Sequence, residues 1–359
     1  MGQKKFHKGQ QTSARGYMDN IINLQKKIVP ELSNLLIERY RILRQVSHDS
    51  PIGRRALAGE LGLSERVLRA QVDFLKTSGL LSFSSLGMSV TDEGIDLLRD
   101  LSDYVRKLQD LSTLEKLLVE NLHIGQVVII PGDCDKEEVV KREIGRAAAR
   151  ILLKLLEDGK KQHIVAVSGG TTLAAMAENV RGNQPNTIVV PARGGLGDKV
   201  ENQANTIATV LAGRLKARYR QLYVPDSVSG EILNSILAED PGVKAVVEII
   251  KSADILVHGM GEATIMAERR GLEQKAMKDL EANGAVGEAI GQYCDINGKV
   301  VYVTNNAGLM MNDLQRIHKV IGLAGGKSKA QAILAVIRAS HQDILVTDEA
   351  AARDMVKLL

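Results

Sequence analysis

From residue 122 to the C-terminus, short β-branched runs alternate with longer amphipathic ones, and no other feature restricts the fold as much. "QVVIIPGD", "HIVAVSGG", "NTIVVPARGG", "ADILVHGMG", "KVVYVTN", "VIGLAGGKSK" and "DILVTDE" are apolar over consecutive positions, and most stop at Gly, Pro or Asp. A strand that is apolar on both faces is a strand covered on both faces, as in a parallel sheet. Between these runs lie helical stretches such as "VKREIGRAAARILLKLLEDG", "QANTIATVLAGRLKARY" and "KAQAILAVIRAS". The order argues a Rossmann-like, mostly parallel α/β sheet with helices on both faces, and residues 122–359 read as one ligand-binding domain. Ligands of such sheets bind at the carboxyl ends of the strands.

Several strand ends carry anion-binding chemistry. In "VAVSGGTTLAAMAE", Gly169 and Gly170 let backbone N–H groups approach a ligand, and Thr171 and Thr172 add hydroxyls at a helix N-terminus, where the dipole favours negative charge. One Gly-rich turn is weak evidence, because this one is neither a Walker loop nor GxGxxG. Convergence strengthens it: Arg193, Arg269 and Lys329 lie in or just after other strand-end segments. Arg suits bidentate contact with phosphate and Lys serves as a point charge, so two anion stations, or one phosphate-rich site, are expected.

The first quarter differs in charge. Residues 1–91 hold 14 Lys+Arg against 7 Asp+Glu, whereas the remainder holds 33 against 36. That asymmetry points the N-terminal part toward a polyanion. Residues 1–18 read as a basic, disordered arm. Residues 19–91 read as a winged helix-turn-helix: an amphipathic helix in "LLIERYRILRQV", a break at "SHDSPIG" with Pro51 opening the next helix, then two helices around "GLS". Leu57, Ala58 and Leu61 face inward from the first. Ser64 caps the second, which turns Val67, Leu68, Val72 and Leu75 to the core. Its polar face carries Glu65, Arg66, Arg69 and Lys76, as a recognition helix in a major groove requires, and Arg54 and Arg55 stand where backbone phosphates are held. "LLSFSS" and "MSVT" around Gly87 form the wing. Residues 92–121 read as a linker helix whose leucines step at near-heptad spacing. That seam either pairs two DNA-binding heads or packs within its own subunit.

Composition narrows the remaining classes. Aromatic residues are only 3%, without Trp, which disfavours stacking platforms for single strands. The two cysteines, far apart, fit a reduced cytoplasmic setting, and the seven histidines form no metal-ligand pattern, so no metal or cofactor is expected. No apolar run is long enough for a membrane span, and the basic start precedes no signal-peptide core.

A winged helix-turn-helix followed by "GRAAARI", "VAVSGGTTL", "VPARGGLG", "NQANTIA", "ILVHGMGEATIMAERR" and "LVTDEAAA" resembles the SorC-type sugar-responsive transcriptional regulators, from about residue 19 to the C-terminus. The resemblance implies a homo-oligomeric repressor, dimer or tetramer, that binds double-stranded operator DNA of glycolytic genes and responds to a phosphorylated sugar, fructose 1,6-bisphosphate. It implies effector contacts at Gly169, Gly170, Thr171, Thr172, Arg193, Gly195, Gln203, Arg269, Glu288 and Lys329. Ser168 stands where Thr is expected, and Lys327 adds a second cation beside Lys329, which leaves the choice between the two lysines open. The same body resembles, more distantly, sugar-phosphate isomerases and glucosamine-6-phosphate deaminases. The deaminase acid–base element Asp-Gly-His after the Gly-x-Gly strand end is missing: this chain reads Gly259-Met260-Gly261-Glu262-Ala263-Thr264, and His258 has no partner carboxylate at a compelling spacing. Aldose–ketose chemistry needs positioned proton donors and acceptors. The phosphate is therefore expected to be sensed and not consumed.

Overall fold

The computed structural model describes residues 20–22, 24–157, 162–194, 199–224 and 229–359. The arm expected over residues 1–18 lies outside them. The chain divides after Thr113 into two compact units.

In the first unit, helices Pro30–Asp49, Arg54–Leu61 and Glu65–Thr77 pack with the hairpin of β1 (Leu81–Ser84) and β2 (Gly87–Val90). Ile42, Leu57, Leu68, Val72, Leu75 and Met88 form the centre of its core. Gly62 takes the left-handed conformation (φ 64°) that ends the first helix of the pair, and the Ser64 hydroxyl accepts the Val67 N–H to start the second. Two expectations fail here. Pro51 does not open a helix, because its neighbour Ile52 bridges antiparallel to Met88 and extends the wing, so helix begins only at Arg54. Val67 is not in the core stripe: it is 44% exposed, one position off the line through Leu68, Val72 and Leu75.

The linker expected as one helix over residues 92–121 is two, Asp92–Leu108 and Leu111–Leu122. Asp110 interrupts them with φ 55°, a conformation that Asp tolerates better than most residues. Lys26 holds this corner, its Nζ 2.6 Å from the Asp110 carboxylate.

The second unit is built on a seven-stranded sheet in the order β3-β13-β12-β7-β4-β5-β6. The strands are β3 (Gln126–Ile130), β4 (His163–Val167), β5 (Thr187–Pro191), β6 (Arg218–Tyr219), β7 (Ile255–Gly259), β12 (Lys319–Leu323) and β13 (Ile344–Asp348), and every pairing is parallel. Val165, Val167, Val257, Ile321 and Val346 are buried with Ile144, Leu152 and Leu211 from the covering helices, which accounts for the uninterrupted apolar runs. After β4 the chain moves outward to β5; after β7 it moves the other way to β12. The loops following these adjacent strands therefore diverge and open a crevice at the topological switch point.

"KVVYVTN" does not join this sheet. It forms β11 (Val300–Val303) of a separate antiparallel sheet, β11-β10-β9-β8, with β8 (Gly261–Glu262), β9 (Ala285–Ala289) and β10 (Gln292–Asp295). Its links to β10 and β9 are too short for a parallel crossover, which needs a dozen or so residues. The small sheet packs with the Ala263–Arg269 helix around Ala263, Ala267, Leu280 and Tyr293. That arrangement brings Glu288 to the crevice.

Candidate functional site

In the first unit Arg54, Arg55, Ser64, Glu65, Arg66 and Arg69 are all exposed. Arg54 and Arg55 open one helix, and Glu65, Arg66 and Arg69 lie on the solvent side of the next. The one contact among them is loose, Arg55 Nε standing 3.9 Å from the Glu65 carboxylate with both side chains exposed. Cations that are solvated and weakly paired retain their charge for a phosphate or a base edge. The sequence reading missed Arg39. Its guanidinium lies 3.5 Å over the Phe74 ring and donates to the Gln71 side chain (2.9 Å), which fixes another cation beside the same helix.

In the second unit a cavity occupies the crevice between β4 and β7. Of the ten residues expected at the effector site, Gly169, Gly170, Thr171, Thr172, Arg193, Gln203, Arg269, Glu288 and Lys329 line it. Gly195 lies outside the described residues. The floor is tied by hydrogen bonds between the diverging strand ends. The Ser168 N–H donates to Val257 O (3.0 Å), and the Gly259 N–H donates to the Ser168 hydroxyl (3.0 Å), which itself donates to Gly169 O (3.2 Å). Ser168 thus serves as a strand-end clamp, a role that needs only its hydroxyl.

One end of the cavity is the double-glycine turn. The Gly170 N–H donates to Asn202 O (2.9 Å), and a side chain at Gly169 would put its Cβ 2.7 Å from that same oxygen. Glycine is therefore required for the Asn202–Ala204 segment to approach. Gly170, at φ 126°, turns the chain into the Thr171–Asn179 helix. Among the described residues no protein backbone accepts from the Thr171 or Thr172 N–H. A first helical turn with available N–H groups and two hydroxyls is a seat for an anion.

The other end is cationic. Arg193 is 3% exposed, with Nη1 3.7 Å from the Glu288 carboxylate and Nη2 donating to the Thr304 hydroxyl (3.4 Å). Arg270 donates to the same Glu288 oxygen at 2.7 Å, and the Gly291 N–H donates to it at 2.6 Å. Glu288 thus holds two guanidinium groups in place from a buried position. Arg270 also lines the cavity and was missed, since adjacent arginines in "AERR" look alike until one of them finds a buried carboxylate. Four cations, Arg193, Arg269, Arg270 and Lys329, face two carboxylates, Glu262 and Glu288, around the cavity. This balance favours an anionic ligand. Of the two lysines left open by the sequence, Lys329 lines the cavity, whereas Lys327 is exposed and stands 3.9 Å from Asp354.

His258 is fully buried on β7. Its Nε2 lies 2.9 Å from the Gln342 side-chain oxygen and its Nδ1 3.1 Å from Gly259 O, and burial pushes its imidazole below the ordinary range. A neutral ring engaged with an amide is not placed for proton transfer to a ligand. The cysteines are equally inert: burial raises both thiols, that of Cys294 to about 12. Among the described residues no cluster of His, Cys, Asp and Glu is built to hold a metal ion, and no helix is long and apolar enough to cross a membrane.

Residues 106–357 match the family model of the sugar-binding domain, and residues 35–105 match that of the CggR N-terminal DNA-binding domain. The chain is 44% identical to the central glycolytic genes regulator of Priestia megaterium and 43% identical to that of Bacillus subtilis, in each case over 95% of this chain and 99% of the relative. The crystal structure of a SorC family transcriptional regulator from Enterococcus faecalis superposes with a TM-score of 0.63 at 38% identity, covering 68% of this chain and 99% of that one. The full-length sorbitol operon regulator SorC from Klebsiella pneumoniae, at 21% identity, shares the fold over 88% of this chain with a TM-score of 0.61. The chain is a regulator and not an enzyme. With a DNA-binding head and a sugar-binding body matched over nearly its whole length, it belongs to the SorC-type family of sugar-responsive transcriptional regulators.

Proposed function

We propose that this protein is a cytoplasmic, homo-oligomeric repressor of glycolytic genes, a dimer or tetramer, whose grip on operator DNA is set by fructose 1,6-bisphosphate. The observation that carries the effector assignment is the pair of anion-binding features in one cavity: an amide turn at Gly170–Thr172, and Arg193 and Arg270 held by Glu288, with Arg269 and Lys329 also in its lining, offer one ligand two stations for negative charge. The names of the 43–44% identical relatives support the glycolytic target. Binding regulates the DNA-binding state only if the sugar has different affinities for two arrangements of the oligomer. A coupling of about 1–3 kcal/mol, usual for such linkage, changes operator affinity roughly 5- to 150-fold.

Thermal unfolding against a panel of sugars tests the effector. A ligand at 100 times its Kd stabilises the native state by about 2.7 kcal/mol. For a body of this size that raises Tm by roughly 5–10 °C. Fructose 1,6-bisphosphate is expected to produce this shift, fructose 6-phosphate a smaller one, and free fructose none. Equal shifts with free fructose would overturn the phosphate site. For the head, Arg69→Ala is expected to cost about 1–3 kcal/mol on the preferred operator and to relax base preference. Arg54→Ala should instead weaken all duplexes alike and flatten the salt dependence by about one unit of slope.

A further inference from the structure

Two large apolar side chains of the Glu65–Thr77 helix are exposed, Val67 at 44% and Phe74 at 46%. Phe74 has a use on the protein itself, because the Arg39 guanidinium lies 3.5 Å over its ring. Val67 calls for another explanation. It is the third residue of the helix, and its N–H donates to the Ser64 hydroxyl (3.3 Å), so the backbone that carries it is capped and fixed. A β-branched residue is a poorer helix former than Ala, Arg or Glu, and propensity gives no reason for one at an exposed position. At 3.6 residues per turn, Arg66, Ala70 and Val67 follow one another around the helix within about 100°. All three are exposed, and together they make the outer face of the first two turns, away from the buried line of Leu68, Val72 and Leu75. Ala70 ends at its Cβ, so another surface can come close to the helix between the arginine and the valine.

We propose that Val67 is a specificity-determining residue that packs on the 5-methyl group of a thymine in the major groove, with Ala70 leaving the room that this approach needs. The proposal rests on the reading of Glu65–Thr77 as the recognition helix and adds one base contact to it. The neighbours decide the class of partner: Arg54, Arg55, Arg66 and Arg69 are exposed around the start of this helix, and such a set of cations suits a polyanion. The major groove of a duplex presents hydrogen-bonding groups at every base pair and one apolar group, the methyl of thymine. An exposed valine among arginines therefore matches that methyl and nothing else on the base edges. Asp73, exposed one turn beyond Ala70, would meet phosphates unfavourably, which confines the contact to the first two turns. Base contacts from the N-terminal residues of a recognition helix have this geometry.

The experiment uses the full chain and a duplex that it selects from a randomised pool. Each thymine of that duplex is replaced singly by deoxyuridine, which removes the 5-methyl and keeps every hydrogen-bonding group, and affinity is read by fluorescence anisotropy at one salt concentration. Wild type is expected to lose about fourfold at one thymine of each half-site, the worth of one buried methyl. Val67→Ala should lose about as much on the thymine duplex and be indifferent, within about 1.5-fold, to deoxyuridine at that position, since both changes remove one interaction. The Tm of free Val67→Ala should not fall, because the side chain is exposed and alanine is the better helix former. A selected duplex in which no thymine methyl matters overturns this proposal alone. So does a Val67→Ala that keeps the methyl sensitivity of wild type, including one that weakens all duplexes alike, as a contact between protein heads would. A wild type that prefers no duplex, or one whose preference survives Arg66→Ala with Arg69→Ala, overturns the recognition-helix reading and this proposal with it.

Discussion

The turns Ser168-Gly169-Gly170-Thr171 and Ala324-Gly325-Gly326-Lys327 share a double glycine in sequence and differ in what their backbone N–H groups meet. Each leaves a central parallel strand, and each uses a positive-φ glycine as its last residue before helix (φ 126° and 107°). In the first, Asn202 O takes only the Gly170 N–H, and the helix start beyond it faces the cavity. In the second, Asp348, Asp133 and Asp135 take the three N–H groups that follow. A double glycine after a strand therefore specifies a shape that can accept an anion. Whether the anion is a ligand or the protein's own carboxylate is set by what packs above the turn.

The sharpest way to break this comparison is to empty the filled turn. Asp348 is wholly buried and accepts N–H groups from Cys134 (2.7 Å), Gly326 (2.6 Å) and Ala351 (2.8 Å). Burial raises its carboxyl above the usual carboxylate range, and these donors oppose that rise. With about 1–3 kcal/mol for each stranded donor, Asp348→Ala is expected to cost at least about 3 kcal/mol. The Tm of the ligand-free protein should fall by roughly 6–12 °C in a thermal melt. An unchanged melt would mean that the aspartates do not hold this turn.

The open turn should respond in the opposite manner. Thr171→Ala with Thr172→Ala strands no buried donor, so the ligand-free Tm should stay within roughly 2 °C of wild type. The stabilisation by either sugar phosphate, about 2.7 kcal/mol at 100 times Kd for the wild type, should fall by more than half. A loss of ligand-free stability comparable to that of Asp348→Ala would erase the distinction between the turns.

The two lysines sharpen the comparison at its smallest scale. Lys327, 62% exposed and 3.9 Å from Asp354, belongs to a surface pair of the kind worth about 0–1 kcal/mol. Lys327→Ala is expected to leave sugar affinity within twofold of wild type in titration calorimetry. Lys329→Ala, two residues away and in the cavity lining, should weaken fructose 1,6-bisphosphate binding about tenfold. Equal effects at the two positions would show that net positive charge, and not the aim of one ammonium, governs this end of the cavity.

Much of the site can be read before folding, because its parts are local. Strand ends, small residues and a following helix announce an amide turn at Gly169–Thr172, and cations at other strand ends announce convergence. Three features could not be read this way. Arg270 differs from Arg269 only by its contact with Glu288 at 2.7 Å, and that carboxylate arrives on a different sheet. Val67 has a spacing compatible with the core stripe and still lies 44% exposed, since a stripe's edge is set by the neighbouring helices. "KVVYVTN" has the same composition whether its partners run parallel or antiparallel, and only the short returns through β10 and β9 decide. The signal for the aspartate-filled turn, "PGDCD", was present, but it names no partner 193 or 194 residues away in sequence, as Ser328 is from Asp135 and Lys327 from Asp133.

The sequence by itself determined what depends on neighbours along the chain. These are the period that separates strands from helices, the glycines that permit φ 126° and 107°, the charge excess of the head, and the hydroxyl and cation chemistry at the strand ends. Tertiary structure alone decided which of two similar turns keeps N–H groups for a ligand. A backbone N–H carries no record of its acceptor, and here the acceptors come from Asn202, Asp133, Asp135 and Asp348, segments brought together only when the seven-stranded sheet closes around its switch point.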